Sequence, residues 1–350
     1  MDDNIQYFTI IEDLKKRIEN LEEKNYSAKN KKIDLKRQFS ILNFPSNGLY
    51  YKNKKKSILI RYLTAVEEHV LCDYLLMENG DALKLIISNL VLDEDFDLKN
   101  ILLNDFQAIL IFLRSTAYGD FVDLNITCPY CSKESEYKIK LSELKFKEPK
   151  HEPDDNGNYI VFLEDLNLEI TICPITLERE IQKQKENEDD DFFVVKMDDG
   201  TQKRIKKEKT LSLIYHIESI NGVTDKSQIK KVIKRLQKKY IDYILDFIKE
   251  NESGIDERIS LVCPFCAESF FQQLAIGYDF LSMPANYKEN IYEEIFLLTY
   301  YGKSITREDA MLMPVVERKW HIRRIKEEVD KQNEAEKRAI NKAKSNKGKF

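Results

Sequence analysis

Four of the six cysteines fall in two pairs of one design, Cys128-Pro-Tyr-Cys131 and Cys263-Pro-Phe-Cys266, and these are the residues whose spacing could do chemistry. Two thiolates separated by two residues can reach one metal ion from a tight knuckle, and Pro129 or Pro264 helps to fix that turn. Zinc favours four tetrahedral ligands, so two such knuckles can close one site. Each pair is flanked by stretches that alternate apolar and polar residues. That pattern predicts two β-hairpins clasping one structural zinc, as in a zinc ribbon, with Cys128, Cys131, Cys263 and Cys266 as ligands. The long segment between the pairs must then be an insertion whose ends return to one place. Two separate thiol pairs would leave all four cysteines half satisfied, and a redox CxxC is expected at the start of a helix, not between strands. Four thiolates leave no open position for water or substrate, so the expected role is to stabilise and not to catalyse. Cys72 and Cys173, in a helical and a strand pattern, read as buried thiols.

Little else in the chain has the form of a reactive centre. There is no GxxxxGK[ST], GxGxxG, HExxH or GxSxG, and His69, His151, His216 and His321 are scattered. Acid pairs such as Glu67/Glu68 and Glu327/Glu328 fit a solvated surface, so no enzyme is expected. The 61 acids and 56 bases nearly cancel to a net charge of -5, which provides no overall positive field for nucleic acid or anionic lipid. The opening MDDNIQYFTI has neither the basic start nor the apolar core of a signal peptide. The longest apolar run, residues 108–113, is too short to span a bilayer. The expectation is a soluble intracellular chain whose sparse cysteines bind metal and do not form disulfides.

Periodicity points to an α+β class with a mostly helical body. Residues 1–37 carry Tyr7, Ile11, Leu14, Ile18 and Leu21 at alternating steps of four and three, a coiled-coil-like helix seeking another copy, another protein or this protein's own body. Residues 38–148 read as a turn, FPSNGLYY, a basic run at 52–56 and a strand at 57–63. Thr64 and Glu67 then form a capping box. Helices follow at about 65–77, 82–91 and 104–118, and the first knuckle sits between strands. Residues 149–280 repeat that order: a hairpin at 159–163 and 168–172, Thr176 at a helix start, helical stretches at about 210–220 and 226–250, then the second knuckle between strands. The echo suggests an internal duplication with one knuckle per half. A charged insert at 183–209 reads as a hairpin turning at Asp199-Gly200. Residues 281–335 give helices at 287–300, at 307–313 behind the capping pair Thr306/Asp309, and from 315 onward with the stripe Val315, Trp320, Ile322, Ile325 and Val329. Residues 336–350 form a basic tail that reads as frayed and solvated.

Several stretches taken in order carry a resemblance. They are Pro45-Ser-Asn-Gly-Leu-Tyr-Tyr51, Leu63-Thr64-Ala-Val-Glu67-Glu68, residues 86–92 followed by Asp105, and Arg114-Ser-Thr-Ala-Tyr118-Gly119. CPYC, Tyr300-Tyr-Gly302 and Met313-Pro314-Val-Val-Glu317-Arg318-Lys-Trp320 complete the set. Together the chain resembles the baseplate hub and hub-assembly proteins of T-even-type contractile-tailed phages, best over about residues 44–146. The resemblance implies a non-catalytic structural or assembly protein of the tail baseplate, placed in the virion tail and in the host cytoplasm during assembly. Its expected partners are other baseplate and tail proteins, reached through the N- and C-terminal helices, with self-association possible and no membrane partner. The competing reading is a zinc-ribbon accessory protein that binds nucleic acid. Against it, CPYCSKESEYK is mixed in charge and CPFCAESFFQQ carries no base, so such contact would fall to the basic tail.

Overall fold

A computed structural model describes residues 39–73, 81–188, 192–196, 202–206, 213–284 and 286–347. The coiled-coil expectation for residues 1–37 lies outside them. The chain divides into Met1–Ser40, of which only Phe39 and Ser40 are described, and Ile41–Phe350, which carries everything below.

Strand β1 (Phe39–Asn43) leads into the FPSNGLYY turn, and β2 (Ser57–Arg61) follows it. The turn needs left-handed backbone at Asn47 and Gly48, and a Cβ on Gly48 would lie 2.7 Å from the Lys54 carbonyl oxygen. Thr64 and Glu67 cap α1 (Ala65–Leu71) with the predicted reciprocal box. Next come α2 (Asp81–Leu90) and α3 (Leu103–Tyr118), the central helix. Phe106, Ile109, Leu110 and Leu113 on α3 recur at helical spacing and bury against Leu83, Ile87 and Leu90 of α2 and Ile58 and Ile60 of β2. Gly119, with φ 98°, ends α3 and turns the chain into the first knuckle hairpin, β3 (Phe121–Thr127) and β4 (Glu134–Lys140).

The short β5 (Phe146–Lys147) and the hairpin β6 (Tyr159–Leu163) and β7 (Leu168–Ile172) open the second half. Helix α4 (Leu177–Glu188) starts at Thr176, whose hydroxyl accepts from the Arg179 amide. The insert is a hairpin as predicted, β8 (Phe192–Lys196) against β9 (Gln202–Lys206), with its turn outside the described residues. The stretch expected as helix at 210–220 instead ends in a strand, β10 (Ile217–Ile220), which completes an antiparallel sheet in the order β10-β7-β6. Ile217 and Ile220 are spaced as on a helix, but a bulge between Ile217 and Ser219 inserts one residue and turns both isoleucines toward the core. The stretch expected as one helical run at 226–250 is two helices, α5 (Lys226–Ile233) and α6 (Lys238–Glu250). Their Ile229, Ile233, Ile241 and Ile244 cover the sheet.

Strand β11 (Gly254–Ile255) precedes the second knuckle hairpin, β12 (Arg258–Val262) and β13 (Ser269–Gln273). Then come α7 (Tyr287–Tyr301), α8 (Arg307–Leu312) with its Thr306/Asp309 box, and α9 (Val315–Lys347). The residues expected as a frayed tail continue α9 to Lys347, and Arg338 among them pairs with Glu334 one turn earlier (3.1 Å). At about 1.5 Å per residue, α9 is about 50 Å long. Among the described residues no helix is long and apolar enough to cross a membrane.

Two buried polar clusters gather residues that carried the family resemblance. Asp105, fully buried near the start of α3, accepts from the Ser46 amide (3.1 Å), the Ser46 hydroxyl (2.6 Å) and the Tyr51 hydroxyl (2.7 Å), which fastens the turn to the helix. Glu68 of α1 pairs with Arg318 of α9, both fully buried, and accepts from the Tyr118 hydroxyl (3.1 Å). Arg318 also reaches Glu294 of α7 at 2.8 Å.

Candidate metal centre

The two knuckles are brought together from their bases. β5, the exit of the first hairpin, pairs with β11, the entry to the second, through Gly254↔Lys147 and Ile255↔Phe146. The Asp256 amide adds a bond to the Lys145 carbonyl at 2.7 Å. Helix α3 holds the same joint: Asn104 donates to the Ser253 carbonyl and Gln107 to the Glu257 carboxylate at 2.6 Å. Asn104 lies so close that a Cβ on Gly254, where φ is 141°, would collide with it. Above this base the inner faces pack Ile126 against Leu261 and Phe270, and Tyr137 meets Phe270 edge-on at 6.2 Å between ring centroids.

At the tips the two knuckles are near copies. Cys128 donates its amide to the Lys133 carbonyl at 3.0 Å, and Cys263 donates to Glu268 at 2.9 Å. Ser132 and Ala267, each just after a second cysteine, return amides to the Cys128 and Cys263 carbonyls at 2.9 Å. Both adopt left-handed backbone, with φ 58° and 60°. The first cysteine of each pair is buried and the second half-exposed.

All four sulfurs lie within 4.8 Å of one another, with Cys128 Sγ 3.8 Å from Cys266 Sγ and Cys131 Sγ 3.6 Å from Cys263 Sγ. A tetrahedron of sulfurs about 2.3 Å from its centre has edges of about 3.8 Å, so the sulfurs are spaced to hold a metal ion. The electrostatics agree. Desolvation opposes the Cys263 thiolate, yet the amides of Cys266 and Phe265 and the thiols of Cys266 and Cys131 hold its pKa down at about 6. Cys266 moves the other way, to about 12, because desolvation and the sulfurs of Cys263, Cys131 and Cys128 outweigh the favourable Glu268 amide. A bound metal requires the thiolate forms and expels their protons.

The four cysteines singled out by spacing are thus the four that converge. Cys72 and Cys173 stay apart from them, both buried, with burial raising Cys72 to about 11. The motif alone did not disclose the cross-hairpin contact of Lys133, whose ammonium lies 4.6 Å from the Phe265 ring centroid. No local pattern reports which hairpin tip a lysine will face.

Fold and site define an α+β scaffold in which two distant hairpins meet at a cluster of thiols. The family model described as T4 bacteriophage base plate protein matches residues 48–275, which include both hairpins, and the chain belongs to that family. It is a structural protein of the T4-type phage baseplate, and membership places it with the virion tail and in contact with other tail proteins. No curated protein and no solved structure matches the chain.

Proposed function

We propose that this baseplate protein is a non-catalytic scaffold of the hub region, stapled by one structural zinc ion held by Cys128, Cys131, Cys263 and Cys266. The observation that carries the staple is the sulfur spacing of 3.6 and 3.8 Å across the hairpins. Zinc suits four thiolates at tetrahedral spacing, and bound there it supplies cohesion only. The fourth hydrophobic cluster, around Ile126, Leu261 and Phe270, is small, which is the setting in which a metal contributes folding energy directly. The ligands come from both halves of the domain scheme, 38–148 and 149–280. The terminal segments, 1–37, the outward surface of 281–335 and the basic 336–350, offer contacts to neighbouring baseplate proteins or to a second copy.

Metal analysis of the purified full chain tests the staple, with one zinc per chain expected and no stoichiometric metal overturning it. Mass spectrometry of purified phage particles tests the placement. A constituent of the tail is present at fixed copy number, whereas a protein that acts only during assembly in the host cytoplasm is missing from the particles and present on baseplate intermediates.

A further inference from the structure

The sheet β10-β7-β6 ends at β6, whose outer edge has no strand beside it among the described residues. The direction of its free groups follows from β7. Glu169 donates its amide to Asn221 Oδ1 and accepts the Asn221 amide, and the Cys173 amide donates to the His216 carbonyl, so residues 169, 171 and 173 face β10. Alternation then turns the backbone groups of Ile170 and Ile172 toward β6, where they meet Val161 and Tyr159. The N–H and C=O groups of Ile160 and Phe162 therefore point away from the sheet, along an open ladder.

The same two residues break the pattern of the sheet's outer face. The inner face is covered by α5 and α6. On the outer face β7 and β10 present Glu169, Thr171 and Ser219, the polar residues that a solvated face calls for. The edge strand instead presents Ile160 and Phe162, 60 and 52% exposed. An exposed edge is ordinarily blunted by a charge, a proline or a bulge. β6, Tyr-Ile-Val-Phe-Leu, has neither charge nor proline and pairs with β7 in unbroken register.

Acids bracket this edge. Asp154 and Asp155 precede β6, Glu164 and Asp165 follow it, and Glu169 lies across from Phe162, all of them exposed. Lys239 reaches Asp165 at 3.6 Å, while Arg179 and Lys226 stand against β10 at the opposite edge. Asp155, Glu164 and Glu169 pair with no base among the described residues. A second copy is a poor fit. Antiparallel pairing of two β6 strands would set the acids at 154–155 of one against those at 164–165 of the other, and parallel pairing would set each acid pair against itself.

We propose that the free edge of β6 accepts an extended strand of another baseplate protein, one that completes the ladder at Ile160 and Phe162, alternates apolar and polar residues, and is rimmed by lysine or arginine. The inference rests on the baseplate reading above. Main-chain hydrogen bonds hold such an added strand, and charge sets which strand is accepted.

The test uses the full-length protein and short synthetic peptides that share an alternating Val-Thr core. One is ended by lysines and one by glutamates. A third repeats the lysine peptide with its core N-methylated, which keeps the side chains and removes the donors. Fluorescence anisotropy should show the lysine peptide binding, the glutamate peptide weaker by about tenfold or more at low salt, and the N-methylated peptide not binding. Phe162→Pro removes an outward N–H that β7 does not use, at a position where an edge strand tolerates proline, and should abolish binding with the thermal melt little changed. If that variant fails to fold, the N-methylated peptide on the wild type decides alone. No binding of the lysine peptide, binding that survives N-methylation or Phe162→Pro, or equal affinity for the glutamate peptide overturns the edge site. A dimer in sedimentation that Phe162→Pro dissolves gives the edge to a second copy and overturns it as well. Peptide binding as expected by a protein absent from both particles and baseplate intermediates would sink the baseplate reading alone. Normal incorporation of the wild type into baseplates, without binding of the lysine peptide, would sink the edge site alone.

Discussion

Two joints bring distant parts of this chain together, and they are built on opposite principles. At the hairpins four sulfurs face one another at the surface, with only Ile126, Leu261, Phe270 and the two buried cysteines as a fully buried surround. At the helical end Glu68 and Arg318 meet with no exposure at all, beside Glu294 and Tyr118 and flanked by the first and third hydrophobic clusters. The sulfur joint lacks its own countercharge and calls for a cation from outside. The ion-pair joint contains its countercharge and is complete in itself, apart from Arg318 Nη1, a buried donor without a partner. A thin core suits the first under the proposed zinc staple, whose metal–thiolate bonds would carry the cohesion, whereas the second needs a thick core to position two charges in a low dielectric.

The contrast is broken most severely at the cysteines. Serine at Cys128 or at Cys263 should abolish stoichiometric metal binding alike, because each hairpin supplies half the ligands. Structural zinc is worth on the order of 10–16 kcal/mol in small peptides, comparable to the stability of a whole domain, so the hairpins should lose their cooperative thermal transition. Chelator should reproduce that loss in the wild type while leaving the melt of the helical end in place. Metal retained by one serine variant and not by the other would show that the hairpins are not equal partners.

Next in size is the ion pair. Arg318→Met strands Glu68 in the core and should cost about 3–5 kcal/mol in chemical denaturation. The double replacement Glu68→Leu/Arg318→Met removes both charges and should recover most of that cost, whereas no apolar pair can replace the sulfurs. A double variant no more stable than the single would mean that the charges act through separate partners.

A smaller effect is expected at Asp105, the buried carboxylate under the turn. Asp105→Asn keeps the shape but meets three donors with a single acceptor, at a cost of about 1–3 kcal/mol. Burial raises the Asp105 pKa despite the hydrogen bonds from Ser46 and Tyr51. A carboxyl with a raised folded pKa contributes stability that is present below its unfolded value and is lost as pH rises through the folded one. The variant should therefore lose more, relative to wild type, near pH 4 than at neutrality, as read from denaturant melts at both.

How far the sequence disclosed these joints follows from the range over which each is specified. A CxxC is a local statement, and a metal's demand for four ligands ties two such statements together, so the convergence of the four cysteines could be read from spacing alone. The contact between Glu68 and Arg318 spans 250 positions among 61 acids and 56 bases, and no local rule selects that pair. The capping boxes at Thr64 and Thr306 were legible because both partners lie within one turn. β10 was not, because its bulge gives a strand the apolar spacing of a helix.

The finest distinction lies within the sulfur joint. Ser132 and Ala267 occupy equivalent left-handed positions, φ 58° and 60°, and neither is the glycine that such a backbone favours. A side chain there costs roughly 1–2 kcal/mol, against which glycine forfeits about 0.4–1 kcal/mol through the greater freedom of the unfolded chain. Ala267→Gly should thus stabilise the metal-loaded protein by up to about 1 kcal/mol. Ser132→Gly should gain no more, because the polar side chain of serine can form the local backbone hydrogen bonds that ease left-handed geometry. Thermal melts of the two variants should place Ala267→Gly at or above Ser132→Gly. The reverse order would show that the two knuckles, alike in hydrogen bonding, store their backbone strain differently.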